Sequence, residues 1–152
     1  MIKIIKSLFS GFQKDNIIRL SVKNLDDLKY FNTAKQIFIC FQNKNYKLKL
    51  VGGCVRKLIT EEKIDDMDIA INIEPEKIKK VLVEQKIKFV ETGITHGTIT
   101  VLINDFKFEI TSLRKDLSTD GRHAKVEFTS NWEQDAQRRD FTINAIYSDI
   151  SG

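Results

Sequence analysis

The hydrophobic and polar positions of this chain change period several times, and each period predicts an element. From Leu25 the stretch LDDLKYFNTAKQIFICF puts Leu25, Leu28, Phe31, Ile37, Phe38 and Phe41 near helical spacing. Asn24 is a candidate N-cap, and Asp26 and Asp27 fall in the first turn, where the helix dipole favours acids. Asn43 and Asn45 punctuate the end. Residues 47–51 predict a strand, Gly52 and Gly53 break it, and 54–60 predict a short helix. Across 66–73, Met67, Ile69, Ile71 and Ile73 alternate with Asp66, Asp68, Ala70 and Asn72, as in a strand. Pro75 suits the first position of a helix running to about Glu84. Residues 88–91, 98–103 and 107–111 predict strands, the last two joined as a hairpin by the turn-like Asn104 and Asp105. The polar stretch 112–124, with Asp120 and Gly121 inside, predicts a loop. A short strand at 125–128 follows. Ser130 or Asn131 caps a helix through Arg138, and 141–147 reads as a second helical segment. Residues 1–22 show no clean pattern and read as an N-terminal extension, leaving 23–152 as one domain. Mixed strands and helices with a hairpin predict an α+β fold, a small mixed or antiparallel sheet flanked by helices.

Composition narrows the classes. The chain has 152 residues and one Pro, enough for one domain with a proper core. Hydrophobic residues make up 41% and charged residues 30%, ordinary for a soluble protein. No apolar run approaches the roughly 18 residues that cross a bilayer, so no membrane partner is expected. The start, MIKIIKSLFSGF, is amphipathic but short and lacks a small-residue cleavage site. Its lysines and the early Asp15 speak against a mitochondrial presequence. Cys40 and Cys54 form no CxxC and have no His cluster, which disfavours zinc and suits reduced, buried thiols in a cytoplasmic protein. Charge is uneven. Residues 1–50 hold ten Lys/Arg against three Asp, a balance of +7, which leaves −3 for the other 102 residues of a chain with net charge +4. A basic N-terminal third fits contact with a phosphate backbone; solvated lysines in a Lys/Ile-rich composition are the other reading.

Three clusters carry candidate chemistry. In Val51-Gly52-Gly53-Cys54-Val55-Arg56 a strand ends in two glycines and a helix begins. Glycines permit close approach of a phosphate, the helix N-terminus offers free N–H groups, and Arg56 adds a charge within one turn. A plain structural turn has the same sequence. In Asp65-Asp66-Met67-Asp68, strand geometry projects Asp66 and Asp68 to one face while Met67 and Ile69 face the core. Two carboxylates on one strand can bind a pair of divalent cations that clamp a phosphoryl transfer, and hard oxygen ligands suit magnesium. A solvated acidic turn is the alternative. Glu109, mid-strand between apolar neighbours, is the candidate third acid if it faces inward and a solvated residue if it faces out. In the third cluster, Gln137-Arg138-Arg139-Asp140-Phe141-Thr142-Ile143-Asn144-Ala145, adjacent arginines can fork onto phosphates. Asp140 can accept from a ribose hydroxyl, and Asn144 lies one turn on. Of the remaining residues, His96 belongs at a strand entry, His123 in the polar loop, and Trp132 reads as a packing anchor rather than a base-stacking platform.

Taken in order, LVGGCVRKLI at 50–59, IDDMDIAI at 64–71, THGTITVLI at 95–103, FEITSLRKD at 108–116, DGRHAKVEF at 120–128 and RRDFTINAI at 138–146 resemble the head of the class II nucleotidyltransferases. This polymerase-beta-like group holds the bacterial and eukaryotic CCA-adding enzymes (tRNA nucleotidyltransferases) and bacterial poly(A) polymerase. The resemblance implies a polymerase-beta-like head that adds ribonucleotides to RNA 3′ ends without a template. Gly52, Gly53 and Arg56 would hold the triphosphate of ATP or CTP. Asp66 and Asp68 would bind two Mg2+ ions, with Glu109 as a third catalytic carboxylate. Asp140 and Asn144 would select the ribose, Arg138 and Arg139 shape the nucleotide pocket, and Arg114 follows the Glu109 strand as in the family. Asp120, Gly121 and Arg122 fall in the family's flexible loop. The 3′ hydroxyl of a tRNA or other RNA would attack the α-phosphate.

Two departures qualify the resemblance. The family usually has Asp after Val-Arg, where this chain has Lys57; nucleotide binding is expected to weaken. The family's neck, body and tail domains, which read the base and hold the RNA, are absent from these residues. Three expectations follow: a catalytic subunit completed by a separate chain carrying those domains, with an exposed apolar patch near residue 152; an inactive nucleotide-binding remnant; or a fragment of a full-length enzyme.

Overall fold

A computed structural model of the chain describes residues 2–5, 17–20, 25–119 and 124–150. The strands are β1 (Ile2–Ile5), β2 (Ile17–Leu20), β3 (Leu48–Val51), β4 (Met67–Ile71), β5 (Phe89–Gly93), β6 (Thr98–Ile103), β7 (Phe106–Ser112), β8 (Arg114–Thr119), β9 (Ala124–Phe128) and β10 (Tyr147–Ser148). The α-helices are α1 (Leu25–Gln42), α2 (Gly53–Thr60), α3 (Pro75–Glu84) and α4 (Trp132–Gln137). Eight strands form one mixed sheet in the order β2-β1-β10-β3-β4-β7-β6-β5, and β8 and β9 form a separate antiparallel pair. Within the large sheet β4 and β7 run parallel, and the other neighbours antiparallel.

Alternation along the central strands sorts their side chains into two faces. Leu50, Met67, Ile69, Val101, Phe108 and Ile110 are buried on one face. They form a single core with α1, α2 and α3. In α1 the buried residues Tyr30, Phe31, Ala34, Ile37, Phe38 and Phe41 recur at helical spacing, whereas Leu28, counted in the predicted stripe, is 42% exposed. The opposite face carries Asp68 and Ala70 from β4 and Glu109 from β7. A smaller cluster of Val51, Ala70, Leu113, Ala136 and Tyr147 covers one end of it beneath α4. The acids therefore sit on the side of the sheet that the three long helices leave open.

Turns fix the register. Asn104 and Asp105 both have positive φ (49° and 66°), the signature of a type I′ turn whose twist suits the β6–β7 hairpin. Gly97 has φ +81, and a Cβ there would lie 2.6 Å from Phe128 Cε1, so the end of β9 packs on bare backbone at the entry to β6. Asp27 is not merely a first-turn acid. It is 6% exposed and accepts the Ile64 N–H at 3.3 Å, tying α1 to the segment before β4. The Asn24 cap falls outside the described residues.

Two expectations change. The loop predicted at 112–124 instead contributes β8 and leads into β9. The strand predicted at 125–128 is β9, but β8 hides from the period because the pair carries charged cross-strand partners such as Lys115 and Glu127, 3.2 Å apart, rather than an apolar stripe. The second helical segment predicted at 141–147 is a single 3-10 turn, Thr142–Asn144, followed by β10. β10 slots between β1 and β3, pairing Tyr147 with Val51 and Ser148 with Leu50. Two residues are too few to show a strand period. Residues 1–22, which carry no clean sequence pattern, contribute β1 and β2, a hairpin running from Ile2↔Leu20 to Ile5↔Ile17 that enlarges the sheet through β10.

Candidate active site

The site begins at the end of β3. Gly52 has φ +71, donates its N–H to the Ile146 carbonyl at 3.0 Å, and accepts the Arg56 N–H at 3.0 Å as α2 starts. No side chain caps α2, so its first N–H groups remain available to an anion. A Cβ on Gly52 would meet the Asn144 carbonyl oxygen at 3.6 Å and Arg139 Nη1 at 4.0 Å. Arg56 Nη1 donates to Asn144 Oδ1 at 3.2 Å. Gly52, Gly53, Arg56, Arg139 and Asn144, spread over 93 residues of sequence, are thus brought together.

The carboxylates lie alongside. Asp68 in β4 pairs in register with Glu109 in β7 on the adjoining strand. Asp66 stands just before β4 with a 68% exposed side chain. Burial, then the charges of Asp66 and Glu109, push the Asp68 carboxyl up to about 6. Glu109 resolves the inward-or-outward question on the open face: its side chain is 38% exposed and pairs with Lys107 Nζ at 2.7 Å. Behind Asp68, the buried Cys54 Sγ points at the Val51 carbonyl (3.3 Å) and the Asp68 carbonyl (3.6 Å). Burial pushes that thiol up to about 12, which makes it a packing group rather than a nucleophile.

Among the described residues no three His, Cys, Asp or Glu converge into a cage that would hold a metal alone. Magnesium does not need such a cage, since it keeps several waters and binds through one or two carboxylates plus substrate phosphates. The donor set of Asp66, Asp68 and Glu109 is all hard oxygen. Asp68 makes no ion pair of its own among the described residues, and burial and the neighbouring Asp66 and Glu109 raise its carboxyl, so the residues fit a divalent cation.

The paired arginines are held from below by Asp135, which the sequence motifs do not single out. Asp135 in α4 is 1% exposed. Its Oδ1 accepts from Arg138 Nε at 2.9 Å, and its Oδ2 from Arg139 Nη2 at 3.1 Å and Tyr147 Oη at 2.5 Å. The Arg114 N–H also donates to it, at 3.3 Å. Despite burial, these partners hold the Asp135 carboxyl below its usual range. The forks of Arg138 and Arg139 therefore engage Asp135 rather than standing free for phosphate. Spacing carries the signal that could have found it: Asp135, on the last turn of α4, lies three and four residues before the two arginines that follow the helix. Asn131 caps α4, accepting from Glu133 N at 2.9 Å, as one of the two predicted caps.

Other candidates are more peripheral. The Arg114 guanidinium donates to the His96 carbonyl in the 3-10 turn before β6, with Asp116 at 4.0 Å. His96 and Asp140 are exposed. Trp132 packs edge-on against Tyr147 at 5.6 Å, with Lys49 Nζ 5.2 Å from its ring centre, the geometry of a packing anchor. Lys57 Nζ bonds Asp65 and lies 3.7 Å from Asp66. Asp120, Gly121, Arg122 and His123 fall outside the described residues.

Residues 48–152 match the family model of the poly A polymerase head domain. The chain belongs to this family. Similar proteins include the mitochondrial CCA tRNA nucleotidyltransferase 1 of Homo sapiens, 41% identical over 119 residues, covering 78% of this chain and 27% of that protein. The CCA-adding enzyme of Lactobacillus delbrueckii subsp. bulgaricus is 37% identical over 131 residues, 85% of this chain and 32% of its own length. Among solved structures, the Bacillus stearothermophilus CCA-adding enzyme in complex with CTP superposes with TM-score 0.69 at 33% identity, covering 80% of this chain and 28% of that one. The head domain described here thus spans about a quarter to a third of these relatives, and its mixed sheet flanked by helices is the fold of their heads. No helix among the described residues is long and apolar enough to cross a membrane.

The Asp68 environment gives a pH test. Its folded carboxyl binds a proton more tightly than an unfolded one. The stability this contributes is fully present below about pH 4 and is lost as pH rises through about 6. In cation-free buffer, Asp68→Asn is therefore expected to gain stability relative to the parent as pH rises from 4 to 7, with millimolar Mg2+ narrowing the gap. Thermal melts of the two proteins across that range check it.

Proposed function

We propose that this chain is the catalytic head of a template-independent RNA nucleotidyltransferase, adding the ribonucleotides of CCA, or part of it, to tRNA 3′ ends. The observation that carries the reading is the in-register pairing of Asp68 with Glu109 on the open face, beside a glycine turn on which Arg56, Arg139 and Asn144 converge. The names of the relatives favour tRNA as acceptor, and the CTP bound to the similar Bacillus stearothermophilus enzyme favours CTP, with ATP, as substrates.

In this reading the Gly52–Gly53 backbone and the start of α2 take the triphosphate, with Arg56 held over it by Asn144. Asp66 and Asp68 hold two Mg2+ ions, with Glu109 as third carboxylate. When bound, the ions favour the ionised 3′ hydroxyl and neutralise charge on the departing pyrophosphate. The 3′ oxygen forms a bond to the α-phosphorus, and the bond to the bridging oxygen of pyrophosphate breaks. Asp140 and Asn144 select the ribose, and Arg138 and Arg139 shape the pocket from the Asp135 anchor. The unpaired Cys40 and Cys54 suit a reducing, cytoplasmic setting. Base choice and RNA grip would come from neck, body and tail portions, in the same protein or a separate chain. Phe141 and Ile143, late in the sequence and 66% and 48% exposed, offer apolar surface for such a portion.

A poly(A) polymerase head is a second reading, favoured by the name of the matching family. A nucleotide-binding remnant is a third, favoured by Lys57 beside Asp66. The test is transfer of label from each α-labelled ribonucleotide to tRNA lacking its 3′ end, with magnesium. It is run on the chain alone and with neck, body and tail supplied, and with Asp66→Ala/Asp68→Ala as control. Incorporation of C and A that disappears in the control supports the CCA reading; A alone, in long runs, supports poly(A) addition. Absence of transfer in both settings, with nucleotide still bound, would leave the remnant.

A further inference from the structure

Lys57 does more than fail to be an acid. It lies on α2 with a 21% exposed side chain, and its ammonium bonds Asp65 and sits 3.7 Å from Asp66 Oδ1. Asp66 stands two residues before Asp68, whose carboxyl is raised by burial and then by the charges of Asp66 and Glu109. Glu109 has its own ammonium, Lys107 Nζ at 2.7 Å. Asp68 has no ion pair among the described residues. Each outer carboxylate of the trio thus carries a lysine, and the inner one does not.

We propose that Lys57 is a built-in counter-ion of the carboxylate pair, an ammonium that competes with the divalent cation for Asp66 and so sets how much free cation the site needs before it loads. The inference rests on the metal-site reading under Proposed function. A cation held jointly by Asp66 and Asp68 must share Asp66 with a positive charge already within about 4 Å of it. Both effects act in one direction: the lysine neutralises a donor and repels the incoming ion. The resting site gains in return, because three neighbouring carboxylates without counter-ions repel one another.

The test measures binding of Mn2+ alone, as a paramagnetic stand-in for magnesium, by titration followed with electron paramagnetic resonance at low salt. The proteins are the parent, Lys57→Ala, Lys57→Met and Asp66→Ala/Asp68→Ala. Lys79→Met, whose lysine pairs with Glu76 and Glu91, makes the same change in net charge elsewhere on the molecule. Both Lys57 variants are expected to bind Mn2+ about 3- to 10-fold more tightly than the parent, and the gain should shrink with added salt. Lys79→Met should match the parent. Lys57 variants that stay folded yet bind no more tightly than Lys79→Met overturn the proposal while leaving the metal site standing. Mn2+ binding absent from every protein, or undiminished in Asp66→Ala/Asp68→Ala, overturns the metal-site reading and the proposal with it.

Discussion

Asp68→Ala is expected to lower nucleotide transfer about 10³-fold or more, roughly 4 kcal/mol of transition-state stabilisation, while leaving the protein folded. Asp68 is the member of the trio best placed to matter. It projects from a strand whose neighbours Met67 and Ile69 are 1% and 0% exposed, so its position is fixed by core packing. Its register partner is Glu109, and the helices leave its face open. The same environment makes it costly. A carboxyl pushed up to about 6 is ionised at neutral pH against the preference of the fold. Its removal is expected to raise the melting temperature of the cation-free protein at pH 7. The two readouts should move in opposite directions, activity down and stability up, as at sites where function is retained against local stability. Nucleotide binding without magnesium, followed by fluorescence of a labelled triphosphate, should change little, because the glycine turn and Arg56 remain. A parallel fall in activity, stability and nucleotide binding would instead mark Asp68 as a structural acid.

Much of this arrangement is legible in the amino-acid sequence, for reasons that differ by segment. β4 is readable because its core face is strictly apolar, and that alternation alone aims Asp68 away from the core. Asn104 and Asp105 are readable because both accept positive φ, and a two-residue turn then sets the β6–β7 register. β8 is not, since a polar strand held by backbone bonds and charged pairs leaves no period, although its partner β9 is. β10 is hidden by its length, yet it matters: pairing on β3 beside Gly52 brings the 3-10 turn with Asn144 over the glycine turn. Lys57 is legible only as a departure from a family pattern. That its ammonium reaches Asp65 and Asp66 follows from how α2 packs on β3 and β4, which no local pattern records.

Asp135→Ala is expected to cost about 3–5 kcal/mol of stability, because it strips the counter-charge from two buried guanidinium groups. The side chains of Arg138 and Arg139 are 13% and 18% exposed, and Asp135 is the carboxylate that both meet. The Tyr147 hydroxyl would lose its acceptor in the same step. For a chain of this size the loss corresponds to a fall in melting temperature of about 10 °C or somewhat more. Because the folded carboxyl is held below its usual range, its contribution is complete above about pH 4 and is lost as pH falls through the lowered value. The gap between parent and variant should therefore be constant from pH 5 to 8 and close in stronger acid. Asp135→Asn separates charge from shape, since an amide can still accept from one partner but neutralises none. It should lose less stability than alanine, yet weaken nucleotide binding, because Arg139 Nη1 also holds the Asn144 carbonyl at 3.4 Å beside Gly52. An asparagine variant that binds nucleotide as the parent does would confine Asp135 to the fold. Weakened binding in a folded protein would make it the residue that positions the arginine wall of the pocket.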